Sequence, residues 1–316
     1  MDRRTFVVAA AGLVLAPRAF ARRFGGTPLA LVTADLEARI VAVSLATGTL
    51  LRSIPTTRGP RSIQPVGRKV VVAHTSLGAV SLVDGGRLEV DGVLHDFDEP
   101  RYTASALDGR YAFVTDSGSR TLVVVDALRG RVVRRLAVGG PARHISVDRG
   151  GRRLWIALGT KAPRIAVVDI ADAVRPRLLG AIKPPFLAHD VGFARDRVWV
   201  TSGDRHAIAL FDPRTARTVN RLDAGSPPQH VTFSGELAFV TSGDDGTLTT
   251  HDARTGRVLG SARIPTGSYN VQEGGGVILT PSLSQGTLCI VDRRGRVRRS
   301  VRVARSSHDA CHVVSG

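Results

Sequence analysis

Cysteine is nearly absent from this chain of 316 residues: Cys289 and Cys311 are the only two. Two thiols cannot build a disulfide scaffold, and no pair of them has zinc-site spacing. A bond between them would need Cα atoms within about 7 Å, and core packing explains both residues more simply. Aromatic residues reach only 5%, which weighs against binding single-stranded nucleic acid by base stacking. Lysine occurs only at Lys69, Lys161 and Lys183, so arginine supplies nearly all of a formal charge of +17. Such uniform arginine use reads as a compositional bias rather than a nucleic-acid footprint, although a basic surface attracts polyanions and small anions. The chain also lacks a phosphate-cradling glycine loop, a GxSxG elbow and an HExxH helix. No apolar run approaches the roughly 20 residues that span a bilayer.

What is present begins with "MDRRTFVVAAAGLVLAPRAFARR": Arg3 and Arg4, an apolar run from Phe6 to Ala16, then Arg18 and an Ala19-Phe20-Ala21 cleavage pattern. The "RRTF" order resembles a twin-arginine export signal, which implies export in the folded state, sometimes with a cofactor already loaded. An ordinary secretory signal with two arginines is the simpler alternative. Either reading divides the chain into a cleaved signal, residues 1–21, and a mature domain, residues 22–316, that is periplasmic or secreted. Losing Arg3, Arg4, Arg18 and Asp2 removes three positive charges and one negative, leaving +15.

Beyond the signal the chain repeats itself. Six apolar runs end in aspartate: "VSLVD" at Asp84, "LVVVD" at Asp126, "IAVVD" at Asp169, "IALFD" at Asp212, "LTTHD" at Asp252 and "LCIVD" at Asp292. Their spacings are 42, 43, 43, 40 and 40 residues, and counting back reaches a degenerate seventh copy at Ser44. Each copy holds short β-branched segments punctuated by Gly, Asp and Pro, with no helical period. Four strands per ~40–45 residues predicts an all-β, seven-bladed propeller. The first repeat, residues 28–57, lacks an innermost strand, while the tail "HDACHVVSG" is an innermost strand without the other three. The tail is therefore expected to complete the N-terminal blade and close the ring, removing its open edges.

The segment "AFVTDSGSRTLVVVDALRGRVVRRLAVGGPARHISVDRGGRRLWIA" resembles the YVTN-type, YncE-like propeller repeat of exported prokaryotic proteins, and "RVWVTSGDRHAIALFDPRTARTV" and "LAFVTSGDDGTLTTHDARTGRVL" resemble it too. The resemblance covers nearly all of the mature chain. It implies the fold strongly and a function only weakly.

Innermost strands line the channel of a propeller, so their first residues should gather at one mouth. Those pairs are Arg101-Tyr102, Arg143-His144, His189-Asp190, Gln229-His230, Tyr269-Asn270 and His308-Asp309, with Arg61-Ser62 in the remaining blade. Four of nine histidines fall there. His144, His189, His230 and His308 are candidate ligands for copper or another transition metal, with Asp190 and Asp309 as ligands or as acceptors that fix an imidazole tautomer. The same rim, with Arg101, Tyr102, Arg143 and Tyr269, would equally hold an anionic ligand, and part of the clustering follows from the family repeat. The plain alternative is that each histidine bonds the neighbouring blade's backbone. Nitrous oxide reductase is similar only in combining a propeller with inward histidines.

Other features read as structural. The repeated aspartates accept backbone N–H groups in turns. Trp155 and Trp199 share a register and should pack between blades. Cys311 shares its register with Ala104, Ser146, Gly192 and Thr232, all small, whereas His312 stands where Val147, Phe193 and Phe233 stand and should be buried with a partner. Arginines in "VRRSVRVARSS" protect an outer edge. The cluster of His95, Asp96, Asp98 and Glu99 beside Arg101 is the sole candidate for lactonase-type chemistry. The leading functional expectation is an exported binding or scaffold propeller holding a protein, polymer or small anion at its rim and basic surface. A copper-type oxidoreductase and a polyanion or single-stranded nucleic-acid binder are the alternatives.

Overall fold

A computed structural model describes residues 26–314, so the expected export signal lies outside the described residues. The described chain folds into seven four-stranded antiparallel sheets, the blades of a closed propeller. Blades II to VII take their strands in chain order from Pro60–Val66 onward. Blade I is assembled from both ends: Ala310–Val314 pairs with Pro28–Ala34 in the register Leu29↔Val313, Ala30↔His312 and Leu31↔Cys311. The Thr33 backbone N–H donates to the Asp309 carbonyl at 2.9 Å, and the Asp309 N–H returns to the Thr33 hydroxyl at 2.9 Å. Closure by the tail is thus fixed through main chain and side chain together.

Radial position explains the composition of each strand. Middle strands such as Thr121–Asp126 (TLVVVD) are buried on both faces because a blade is sandwiched between two neighbours. Each Val or Leu that leaves water there contributes about 1.5–3 kcal/mol. Outermost strands such as Val297–Arg302 (VRRSVR) are mostly exposed, which accounts for their arginines. Trp155 packs with Val198 and Phe211 between blades IV and V, and the Trp199 indole N–H donates to the Ala253 carbonyl of blade VI at 3.0 Å.

The aspartates that end the third strands serve as turn acceptors. Asp212 takes the N–H groups of Arg214 and Thr215 at 2.7 and 3.0 Å, and Asp292 those of Arg294 and Arg296 at 2.8 and 3.0 Å. Threonine hydroxyls on second strands stitch neighbouring blades, since Thr33 donates to the Arg61 carbonyl at 3.0 Å and Thr201 to the Gln229 carbonyl at 2.6 Å. Both acceptors are the first residues of the predicted mouth pairs. Cys289 and Cys311 are free and belong to different core clusters. His312 departs from expectation: it is only partly buried, resting on the backbone of Gly274 and Gly275, whose missing side chains leave room for its ring.

Candidate functional site: a histidine constriction in the channel

Members of the seven mouth pairs divide between two cavities, except Arg101, Arg143 and His144, which line neither. Arg61, His189, Gln229, Tyr269 and His308, all first members, line a cavity of about 320 Å³ on the face that carries the turns between second and third strands. Ser62, Asp190 and Asp309, all second members, line a cavity of about 440 Å³ opening on the other face. Tyr102, His230 and Asn270 border both cavities and mark the constriction between them.

Three imidazoles meet at that constriction. His144 stands 4.4 Å from His189 and 4.7 Å from His230 between ring centroids, and His189 lies 5.2 Å from His230. Each offers one nitrogen, and the three nitrogens all lie within 4.8 Å of one another. Tyr102 covers the group, its ring centroid 4.1 Å from that of His144. His308 stands apart, with Nδ1 3.1 Å from Asn270 Nδ2 and its carbonyl accepting from the same amide at 2.7 Å. Of the four predicted imidazoles, the fold brings three together and ties the fourth to a neighbouring blade.

Surrounding groups set the tautomers. His189 Nδ1 faces the Thr160 carbonyl at 3.4 Å, and His230 Nδ1 faces Asp190 Oδ2 at 3.3 Å. Each Nδ1 is thus directed at an oxygen, which leaves the Nε2 of the same ring as the atom to offer a metal. Burial holds His144 well below the usual imidazole range, with His189, His230 and Arg143 adding to the shift, and burial takes His189 down to about 4. His144 and His189 are therefore neutral, the state that ligates a metal. His144 is 1% exposed, yet neither of its ring nitrogens makes a well-formed hydrogen bond, the His189 backbone being its one nearby partner.

The carboxylates beside the histidines also join blades. Asp190 accepts the N–H of Val191 at 2.8 Å and of Val231, in the next blade, at 3.0 Å. Asp309 repeats the arrangement with Ala310 at 2.9 Å and Ile63 at 3.1 Å, and also receives Gln272 Nε2 at 3.2 Å. Burial pushes the Asp309 carboxyl up to about 7, against the pull of those donors.

Several participants carry no signal of their own in the sequence. Gly203, at φ +76°, lets the chain turn beside His189, because a Cβ there would stand 2.7 Å from His189 Cβ. Lys161 pairs with Asp204 at 2.5 Å, and the Tyr269 hydroxyl donates to Asp244 at 2.6 Å on the same rim. The repeated "SGD" at Ser202-Gly203-Asp204 and Ser242-Gly243-Asp244 is the one pattern that points to these turns. The lactonase-type cluster does not converge: Glu99 pairs with Arg101, and His95, Asp96 and Asp98 are exposed.

Protein NirF of Stutzerimonas stutzeri is 25% identical over 162 residues, a match covering 50% of this chain and 40% of NirF. Among solved structures, apo AztD from Citrobacter koseri superposes with a TM-score of 0.70 at 12% identity, over 92% of this chain and 99% of that one. The dihydro-heme d1 dehydrogenase NirN in complex with DHE superposes with a TM-score of 0.65 at 15% identity, over 90% and 74% of the two chains. At such identities these structures share the fold alone. The family model described as outer membrane protein assembly factor BamB matches residues 37–310, nearly the whole described ring, and the chain belongs to that family of β-propellers.

Proposed function

We propose that the protein is an exported binding propeller whose channel constriction holds a borderline transition-metal ion, zinc or copper, on His144, His189 and His230. One observation carries the reading: a fully buried imidazole, His144, makes no well-formed hydrogen bond through either nitrogen, and one nitrogen from each of His144, His189 and His230 lies within 4.8 Å of the other two. An unpartnered buried polar group is destabilising unless something completes it, and neutral imidazole favours zinc, copper, iron and nickel. A tetrahedral ion with Zn–N near 2.0–2.1 Å separates its donors by about 3.3 Å, so the three nitrogens, now within 4.8 Å of one another, would draw in on it. Asp190 and the Thr160 carbonyl would orient two of the ligands.

In this proposal residues 1–21 are a cleaved signal of twin-arginine type, the mature domain of residues 22–316 works in the periplasm or outside the cell, and the repeats are the YncE-like variant of the fold. No helix among the described residues is long and apolar enough to cross a membrane. Redox work by copper is the alternative use of the same ligands. Capture of a polyanion by the arginine-bearing outer strands is a separate one. NirN, a structural relative solved with DHE, makes a tetrapyrrole over the same histidines a further reading.

Elemental analysis of protein exported by its native route tests the proposal. Near-stoichiometric zinc or copper that is lost in a His144→Leu, His189→Leu double variant is expected. A folded protein that neither carries nor takes up zinc, copper or cobalt would overturn it.

A further inference from the structure

Above the histidines, three consecutive blades place arginine at the same register: Arg61, Arg101 and Arg143. They are near enough that Arg61 and Arg143 both depress the basicity of Arg101, after burial itself. Their acceptors are few. Arg101 pairs with Glu99, and Arg143 Nη1 donates to the Thr160 hydroxyl at 2.8 Å. The Nε atoms of Arg101 and Arg143 are buried without any acceptor. Arg61 lines the upper cavity, and its side chain has no hydrogen-bond or ion-pair partner among the described residues. The other charged groups on this rim are engaged, Lys161 with Asp204 and Asp244 with the Tyr269 hydroxyl. Asp190 and Asp309 lie one level below, committed to backbone N–H groups.

We infer that the mouth of the upper cavity binds a small oxyanion, a carboxylate or phosphate, on Arg61, which lines the cavity, with Arg101 and Arg143 at the same register of the next two blades adding their charge. Guanidinium forks match the oxygens of such groups, and charge-assisted bonds at a partly buried site are the stronger kind. Two buried Nε donors without acceptors mark guanidinium groups whose hydrogen-bonding capacity the fold leaves partly unused. The Thr160 residue links the two parts, since its hydroxyl takes Arg143 while its carbonyl faces His189. The anion would therefore sit beside the three histidines, where an ion held by three protein ligands keeps a position open for an exogenous oxygen. That adjacency rests on the metal reading proposed above; the arginine site itself does not.

Oxalate and inorganic phosphate serve as probes, titrated calorimetrically into metal-free and cobalt-loaded full-length protein, with cobalt's visible bands reporting its ligands. The expected result is oxalate binding to both forms, tighter with cobalt, and a change in the bands on addition. Arg61→Gln should weaken oxalate about tenfold or more while leaving cobalt affinity unchanged. Arg61 makes no side-chain bond in the fold, so this variant folds. Arg143→Lys, which keeps the charge but loses the fork, should weaken oxalate as well. Protein that refuses cobalt but binds oxalate through Arg61 would sink the metal reading and sustain the anion site. Absence of binding by both anions, or affinity indifferent to Arg61→Gln and Arg143→Lys, would overturn the anion site whatever cobalt does.

Discussion

Asp190 Oδ2 lies 3.3 Å from His230 Nδ1 and 3.0 Å from the backbone N–H of Val231, so one carboxylate orients a channel imidazole and fastens blade V to blade VI. Asparagine is nearly isosteric but must turn an NH2 group toward one of these donors. Asp190→Asn should therefore weaken cobalt binding about 10–100-fold and also lower the melting temperature. A variant matching wild type in both measurements would show that the carboxylate is incidental.

Ring closure can be tested at the tail. Deleting residues 308–316 removes the partner of Pro28–Ala34 and uncovers a core that includes Leu29, Leu31 and Val313. Loss of several large buried side chains costs more than the ~5–15 kcal/mol that typically holds a domain. The truncated chain should be unfolded or aggregated by circular dichroism and size-exclusion chromatography. A cooperative transition near the wild-type temperature would mean that the N-terminal strands close the ring without it.

Much of this was legible because a propeller repeats its grammar: an aspartate ending each third strand and apolar runs in the middle of each blade announce the ring before any coordinate is known. The matching deficits of residues 28–57 and of the tail predict closure in the same way. The site was legible only in part. Sequence register brings His144, His189, His230 and His308 to one level of description, but partners in the next blade decide where each ring points, and Asn270 draws His308 away. Cross-blade pairs such as Asp309 with Ile63 join residues 246 positions apart and leave no periodic trace. Gly203 is one glycine among 34, and its clearance for His189 exists only in three dimensions.

Acid should loosen the fold through its neutral histidines. His74 is fully buried, its Nδ1 on the Arg58 carbonyl at 3.2 Å and Nε2 on the Ser81 hydroxyl at 2.8 Å, and burial lowers it to about 4. Below pH 6.5 the unfolded chain binds a proton that the folded chain refuses. Stability should fall as pH drops from about 6.5 to 4, by about 3 kcal/mol for His74. Burial pushes Asp309 up to about 7, an opposite trend at least as large as that of His74 over the same window. Burial also lowers His144, His189 and His308, so the net change on acidification is a loss of stability. Melting temperatures from pH 7.5 to 4 should decline, less steeply for His74→Gln; a flat profile would contradict a buried neutral His74.

Gly203→Ala tests how closely the turn fits its histidine. The new methyl must displace His189 or strain a backbone already at φ +76°, at a cost of about 1 kcal/mol or more. Cobalt affinity should fall while His230 remains in place on Asp190. Unchanged affinity with lowered stability would assign Gly203 to the turn alone.

His144 separates a binding site from ordinary core most sharply. A histidine kept for structure makes hydrogen bonds, and replacing it destabilises the fold. A histidine kept for a ligand burdens the empty protein with desolvated nitrogens, and His144 makes no well-formed hydrogen bond through either of its own. Its ring neighbours are aromatic, with Tyr102 tilted against it at 4.1 Å and His189 at 4.4 Å, so a hydrocarbon side chain loses no hydrogen bond there. His144→Leu should therefore raise the melting point of metal-free protein, by the equivalent of about 1–3 kcal/mol, and abolish the further rise that zinc or cobalt gives wild type. Thermal denaturation of both proteins, with metal and with a chelator, reads all four states. A destabilised His144→Leu that still responds to metal would make His144 a core residue and move the site elsewhere.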